Sequence, residues 1–561
     1  MNSILSEKRQ PLFEGAFLSC LILAIFLLGS DGALVSYHGL LHTTIGNGVL
    51  QDGLTPENPY HAGATLNYYT LYPALGVFLG FFLNSPFWGF AVINILSAFC
   101  FALALDFFGK KIDLSFGQRR CAFWATLLGF NLWGYWWGPE QGADLGVMPL
   151  MVLEPITQFY DLFSWDARLQ SFLAKFLNIS SFACSLPLML FAIGFALSAE
   201  KKSNLYASIA LGFCVALNPL VGAFTTFLLL SCVLVVSENY LSTILEWAKY
   251  GIVSLLIATP FCVSLFLGEA GGENQLAPFP FVGAGSLFNL IGPNLVLIFF
   301  FIASITINKL RSNFTGRKFL LIALAWTVIF ALFELPFDNQ YKFSRLAAIF
   351  LGLAVAPLVL EIHRANRVAI LVLLALSLPV TFLTARAYIA WDVSKNLSFK
   401  INPLGAPPKI EMLREGLPVG FIEVVKHYLP SDAVILMHPR HPGAASKGLG
   451  AQGNQWASLL GKPLFVDLLQ IHNQSYTDHS ARLDASVAIW EGKRWPARKD
   501  SPSYDSKLAL QDAREALPER HLAILSLDAH TPSKELFERQ NGSLVGSRDG
   551  ISIWLFNPLN N

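Results

Sequence analysis

The feature that most restricts this chain is a succession of apolar runs, each close to the length a bilayer asks of a helix. A spanning helix needs about 20 mainly apolar residues, somewhat fewer in thin regions. Runs of that kind lie at roughly 15–30, 87–105, 121–137, 182–199, 205–220, 222–236, 250–267, 290–307, 319–335, 346–360 and 368–389. They amount to about eleven spans. The rest of the composition leaves no other home for them. Hydrophobic residues make up 54% of the 561, mean hydropathy is +0.50, and only 14% are charged, against roughly 25% in soluble proteins. A cytosolic globule is excluded, and 46 Phe with 13 Trp exclude a disordered chain. A net charge of +1 offers no electrostatic case for a nucleic-acid partner. The chain reads as a mainly α, polytopic membrane protein.

Charge is spread unevenly. Of the 77 charged residues, 37 fall in the last 171. This predicts a membrane domain over 1–390 and a water-exposed domain over 391–561. Basic residues then orient the spans. With Lys8 and Arg9 in the cytoplasm, the inner loops collect Lys110, Lys111, Arg119, Arg120, Lys201, Lys202 and Lys249. They also collect Lys309, Arg311, Arg317, Lys318, Arg364 and Arg367. That places 15 of the 20 basic residues before position 391 inside, and 12 of the 20 acidic residues outside. Counting 66–83 as a further span would put the cluster from Lys110 to Arg120 outside, so this run is read as an interfacial or re-entrant helix. The N-terminus is then cytoplasmic and the C-terminal domain exoplasmic. Trp133, Trp136 and Trp137 fall at the outer interface as anchors. The Asn218-Pro219 pair should split one long apolar run into two helices, because Pro lacks the donor that would continue it. No A-x-A-like site follows the first span, so it does not read as a signal peptide. No internal repeat appears.

The tail reads as α/β. A helix is expected over 420–428 and strands over 433–437, 464–466 and 522–527. A Ser-capped helix follows over 533–539, then a hairpin over 544–556 turning at Asp549-Gly550. All seven cysteines lie in the apolar part, so the tail carries no disulfide, and their spacing gives no metal pattern. No Gly-rich phosphate loop appears, so no nucleotide is assigned.

Two outer loops, about 31–85 and about 138–180, are too long and polar to be mere connectors. The first begins SDGALVSYHGLLHTTIGNGVLQDG and sets His38 and His42 four residues apart, on one helix face. Two histidines alone make no metal site. The second carries Glu140, Asp144, Glu154, Asp161 and Asp166, and its end brings Lys175 to the membrane edge. A third outer segment, LPFDNQYKFSR, places Asp338, Lys342 and Arg345 between two spans. Charged groups beside lipid are costly and tend to be functional, and a lipid phosphate would give these cations a reason. Snorkelling to ordinary headgroups is the plainer alternative. For Asp31 the plainer alternative is a solvated cap.

The stretches SDGALVSYHGLL, GLTPENPYHAGATLNYYTLYPAL, ALNPLVGAF and DNQYKFSRLAAIFLGLAVAP together resemble the GT-C superfamily of glycosyltransferases. The resemblance covers nearly the whole chain and is closest to bacterial members. It implies a bundle of about eleven transmembrane helices with an exoplasmic α/β tail, in a bacterial inner membrane. It also implies an activity: transfer of a sugar from a polyprenyl-phosphate donor to a glycan or lipid acceptor at the outer face, with inversion. The family's acidic residue after the first span falls on Asp31, as general base toward the acceptor hydroxyl. Lys175, Lys342 or Arg345 would steady the leaving phosphate. His38, His42, Glu140, Asp144 and Asp338 would line the substrates. Some relatives use a divalent ion, Mg2+ or Mn2+, which Asp31 with Glu140 or Asp144 would hold. The acceptor motif of oligosaccharyltransferases is absent, which counts against protein N-glycosylation. A secondary transporter and a non-catalytic component of glycan assembly or export are the competing readings. The first would favour repeated halves and broken helices, and no repeat is found here.

Overall fold

The computed structural model describes residues 2–29, 37–129, 171–198, 200, 202–236, 240–267, 284–306, 314–333, 341–390, 399–400, 411–412, 428–438, 461–467, 476–495, 500–527, 534–548 and 551–559. The chain divides into two compact units. One comprises 1–33, 91–260 and 278–391; the other comprises 34–90, 261–277 and 392–561. The helices before the tail are α1 (Asn2–Leu28), α2 (Tyr37–Asp52), α3 (Leu71–Phe82), α4 (Pro86–Lys111), α5 (Phe116–Leu128), α6 (Ala174–Leu177) and α7 (Ser181–Ala196). They continue with α8 (Ser203–Leu217), α9 (Pro219–Val236), α10 (Tyr240–Leu267), α11 (Ala284–Thr306), α12 (Phe314–Ala331), α13 (Tyr341–Ala365) and α14 (Arg367–Ala390).

Among the described residues, four segments are long and apolar enough to cross a membrane: Arg9–Leu28, Pro86–Lys111, Trp247–Leu265 and Lys342–Ala365. The protein is an integral membrane protein. Shorter apolar helices occupy other runs, among them Ser181–Ala196 and Ser203–Leu217. The run at 66–83 contains α3, whose 12 residues extend about 18 Å, well short of a hydrocarbon core of about 30 Å.

Local chemistry sets the helix ends in the first unit. α5 opens on a capping box, with Gln118 Oε1 accepting from Ser115 N at 2.8 Å and Ser115 Oγ accepting from Gln118 N at 3.4 Å. It stops at Gly129, which takes φ 64, a left-handed conformation that costs glycine little. The expected break at 218–219 is present. Asn218 is extended at the end of α8, and its Oδ1 accepts from Val221 N at 3.1 Å as the cap of α9. Pro219 takes the first helical position, where its missing N–H costs nothing. Asn218 Nδ2 also donates to Ser181 Oγ at 2.9 Å, tying the break to α7. α13 packs closely on α5 at Gly352, where a Cβ would fall onto Thr126 Oγ1. Small residues at such crossings let membrane helices approach backbone to backbone.

One charged network is buried among α1, α4 and α5. Asp106 accepts from Arg119 Nε at 2.8 Å and from Lys110 Nζ at 2.9 Å, and also bonds Arg120. Arg120 bonds Glu14, and Arg119 Nη2 meets Glu7 at 2.5 Å. Three acids thus balance three bases. Glu14, Asp106 and Arg119 are all buried. Two residues read from sequence as plain orientation signals, Arg119 and Arg120, are therefore also internal partners.

The second unit holds α2 packed on α3, and the tail. β1 (Phe399–Lys400) pairs antiparallel with β2 (Glu411–Met412). The main sheet has β3 (Val434–Met437) parallel to β4 (Leu522–Leu527), then β6 (Ile551–Phe556) and β5 (Ser543–Arg548), both pairings antiparallel. The hairpin read at 544–556 is this β5–β6 pair. The expected strand at 464–466 is reduced to a parallel bridge from Leu464 to Ile435. The expected helix at 420–428 lies almost wholly outside the described residues. α15 (His479–Glu491), α16 (Ser506–Glu515) and α17 (Lys534–Arg539) pack around a core that includes Leu436, Phe465, Leu510, Ile524 and Trp554. Ala62, from the first long loop, belongs to the same core. It arrives there by backbone pairing: Leu464 N donates to Pro59 O at 2.9 Å, Ala62 N to Leu464 O at 2.9 Å, and Asp467 N to Tyr60 O at 3.1 Å. The sequence reading had kept the loop with the membrane domain.

Candidate functional site

In the first unit three of the singled-out cations come together. Lys175 sits on α6, a single turn of four residues. Lys342 and Arg345 sit on the first turn of α13. Burial draws the Lys175 ammonium well below the usual lysine range, and the positive charges of Arg345 and Lys342 push it the same way. The three are therefore electrostatic neighbours, although about 170 residues separate them in the chain. Lys175 is 6% exposed and Arg345 4%, while Lys342 is half-buried. Lys175 and Arg345 are therefore buried and do not stand at an exposed edge, as the plainer alternative of snorkelling to headgroups would need. Lys175 and Arg345 turn inward because α6 and the start of α13 are both packed into the helical unit. The Lys175 Nζ also lies 6.0 Å from the centre of the Phe182 ring, a contact that favours a cation over an aromatic face.

Two asparagines hold this arrangement, and the sequence reading missed both. Asn94, fully buried in α4, donates through Nδ2 to Phe176 O at 3.0 Å and Asn178 O at 2.8 Å. It thereby caps the single turn that carries Lys175. Asn294, buried in α11, donates through Nδ2 to Leu290 O at 2.8 Å and to Ser344 O at 2.9 Å, the residue before Arg345. Ser171 N donates to Thr384 Oγ1 at 3.1 Å and fixes the approach to α6 from α14. Lone amides inside apolar spans were the available signal, since a buried polar side chain must find partners.

In the second unit α2 does set His38 and His42 on one face, with ring centres 6.2 Å apart. His42 is buried among aromatic rings: Tyr72 at 4.8 Å edge-on, Phe90 at 5.9 Å and Tyr68 at 6.0 Å. Among the described residues no three His, Cys, Asp or Glu side chains gather as a metal would require. Asp31, Glu140, Asp144 and Asp338 lie outside the described residues, as do Glu154, Asp161, Asp166 and the three interface tryptophans.

No family model and no curated protein matches the chain. Among solved structures it is similar to the crystal structure of ArnT from Cupriavidus metallidurans in the apo state. The likeness covers 96% of this chain and 97% of that one, at 12% sequence identity and a TM-score of 0.45.

Proposed function

We propose that this protein is an inverting glycosyltransferase of the GT-C type, moving a sugar from a polyprenyl-phosphate donor to a glycan or lipid acceptor at the outer face of a bacterial inner membrane. The observation that carries the reading is the meeting of Lys175, Lys342 and Arg345 in an integral membrane protein. A donor phosphate would meet all three groups at once, and the same groups would steady the charge that grows on it as the sugar leaves. Asp31 supplies the other half of the reaction. An alcohol is a poor nucleophile until its proton is removed, and a positioned carboxylate contributes about 10²–10⁴-fold. One direct displacement then inverts the anomeric centre. His38, His42, Glu140, Asp144 and Asp338 remain proposed substrate contacts. A divalent ion held by Asp31 with Glu140 or Asp144 remains an option that added chelator would expose by inhibition.

The test is turnover by purified protein in vesicles, using a radiolabelled polyprenyl-phosphate sugar and a cell-envelope lipid extract as acceptor. Label should pass to a new product and free polyprenyl phosphate should appear. Movement of intact donor across the bilayer would instead indicate a transporter, and binding without turnover an assembly component. Orientation has its own check. Reporter fusions after Lys202 and after Arg317 should signal cytoplasm, and a fusion after Ser501 should signal the outer compartment. A cytoplasmic signal at Ser501 would break the outer-face assignment.

A further inference from the structure

The segment 57–66 of the first outer loop is fastened to the tail by side chains from residues 476–482. Asn58 Nδ2 donates to Tyr476 Oη at 3.1 Å, and Tyr476 Oη donates to Thr65 O at 2.7 Å. Arg482 Nη1 donates to Ala62 O at 2.7 Å and to Phe465 O at 3.0 Å, so one guanidinium bridges loop and tail. Asp478 orients it, accepting from Arg482 Nε at 2.6 Å. The other oxygen of Asp478 lies 2.8 Å from His61 Nε2, and the His61 ring stacks on Tyr476 at 4.5 Å. His479 lies beside this pair, its ring centre 6.1 Å from that of His61. It is 5% exposed, and neither of its ring nitrogens makes a hydrogen bond among the described residues.

We propose that His61 and His479 make this junction a pH-sensitive latch, which holds 57–66 on the tail while both imidazoles are neutral and releases it when they take up protons. A buried imidazolium needs an acceptor, and among the described residues none meets His479. The charged groups that face the pair are Arg482 and Asp478. Glu57 acts on Arg482 as well, but it is shared, meeting Arg520 at 3.0 Å and accepting from Gly63 N at 2.6 Å. Tyr476 is neutral. Two new positive charges would thus stand against Arg482 with Asp478 as their nearest counterion.

The direction of the pH effect follows from burial. Burial lowers the pKa of His479 from 6.5 to about 4, with the charge of His61 adding to it. His61 is lowered too, chiefly by burial, against the upward pull of its bond to Asp478. A pKa depressed in the fold means stability that is complete above about 6.5 and is lost as pH falls toward 4. Asp478 is held below the usual carboxylate range, despite its own burial, by His61 and Arg482. Its contribution therefore survives across that window, and the loss belongs to the imidazoles. If release of the loop returns both imidazoles, His61 on the loop and His479 on α15, to their ordinary pKa, opening should rise on the order of fifty-fold from about pH 7 to about pH 4.5 for His479 alone.

Hydrogen exchange on the full chain in lipid nanodiscs reads this directly, after correction for the intrinsic pH dependence of exchange. Peptides covering 58–66 and 464–467 should lose protection tens-fold between those two pH values, while the β4 and β6 peptides keep theirs. The double variant His61→Gln, His479→Phe retains a donor toward Asp478 and a ring in the buried place, and should show little of that loss. If β4 protection in this variant is already low at neutral pH, His479→Gln alone takes its place and should show less than half of the wild-type loss. The latch is overturned if wild-type protection at 58–66 is the same at both pH values, or if a folded variant retains the full loss. The measurement needs no sugar substrate, so its outcome is separate from that of the proposed transfer.

Discussion

Asp31→Asn is expected to lower turnover by about a hundredfold or more, with expression and lipid binding near wild type. The substitution is nearly isosteric and keeps hydrogen-bonding capacity, so it removes little besides the proton acceptor. The size follows from the step. A deprotonating carboxylate is worth about 10²–10⁴-fold, or about 3–5 kcal/mol of barrier. Asp31 is the one acid directly after the first span, and the resemblance to GT-C enzymes places the base there. Glu140→Gln and Asp144→Asn should cost less, unless a divalent ion bridges them to Asp31; chelator would then inhibit the wild type as well. Steady-state rates of the purified variants decide it. Full activity in Asp31→Asn would remove the base assignment and shift weight to the second outer loop. Loss of the protein from the membrane would instead make Asp31 a structural cap.

The next largest effect is expected from Arg345→Gln with Lys342→Gln, which should reduce donor turnover by about 10²–10³-fold. That is the usual size when a group aimed at developing charge is lost. Both donor affinity and rate should fall, because a phosphate is bound before the reaction and gains charge during it. Arg345 is buried, so Arg345→Lys belongs beside the Gln variant. It keeps the charge while losing the planar fork, and should recover part of the rate. A melting curve for each variant separates this from instability. Wild-type affinity and rate in the folded double variant would leave these residues as packing and headgroup anchors.

Much of the helical unit was legible because its signals are local. The Pro after Asn218 acts on its own turn of chain and does in the structure what its chemistry dictates, whereas the Ser115–Gln118 box and the stop at Gly129, inside the run read over 121–137, were not read. The strand 522–527 was legible for the same reason: five of its six residues, LAILSL, are apolar. The cations Lys175 and Arg345 were legible as residues but not as a buried pair. Their burial depends on Asn94 and Asn294 drawing distant carbonyls together, and no periodicity encodes such a bond. The junction of 57–66 with the tail was not legible at all. Its partners lie more than 400 residues apart, and the loop residues that enter the tail core, such as Ala62, are small and unremarkable in sequence. Length and polarity marked the first loop as more than a connector but could not show that 57–66 pairs with the tail.

The network of Glu7, Glu14, Asp106, Lys110, Arg119 and Arg120 has a consequence for how this chain can change. Its charges cancel only as a set. Taking away Asp106 alone would leave the buried Arg119 and the partly buried Arg120 without their shared acceptor, and a stranded buried charge costs far more than a pair is worth intact. Effects of substitutions within the set should therefore be strongly non-additive. A second change that restores neutrality would rescue a first one that is ruinous alone. Arg119 and Arg120 should then tolerate exchange for apolar residues only when the facing carboxylates are exchanged with them. The corner of the bundle where three helices meet would in this sense change as one unit written at six places in the chain.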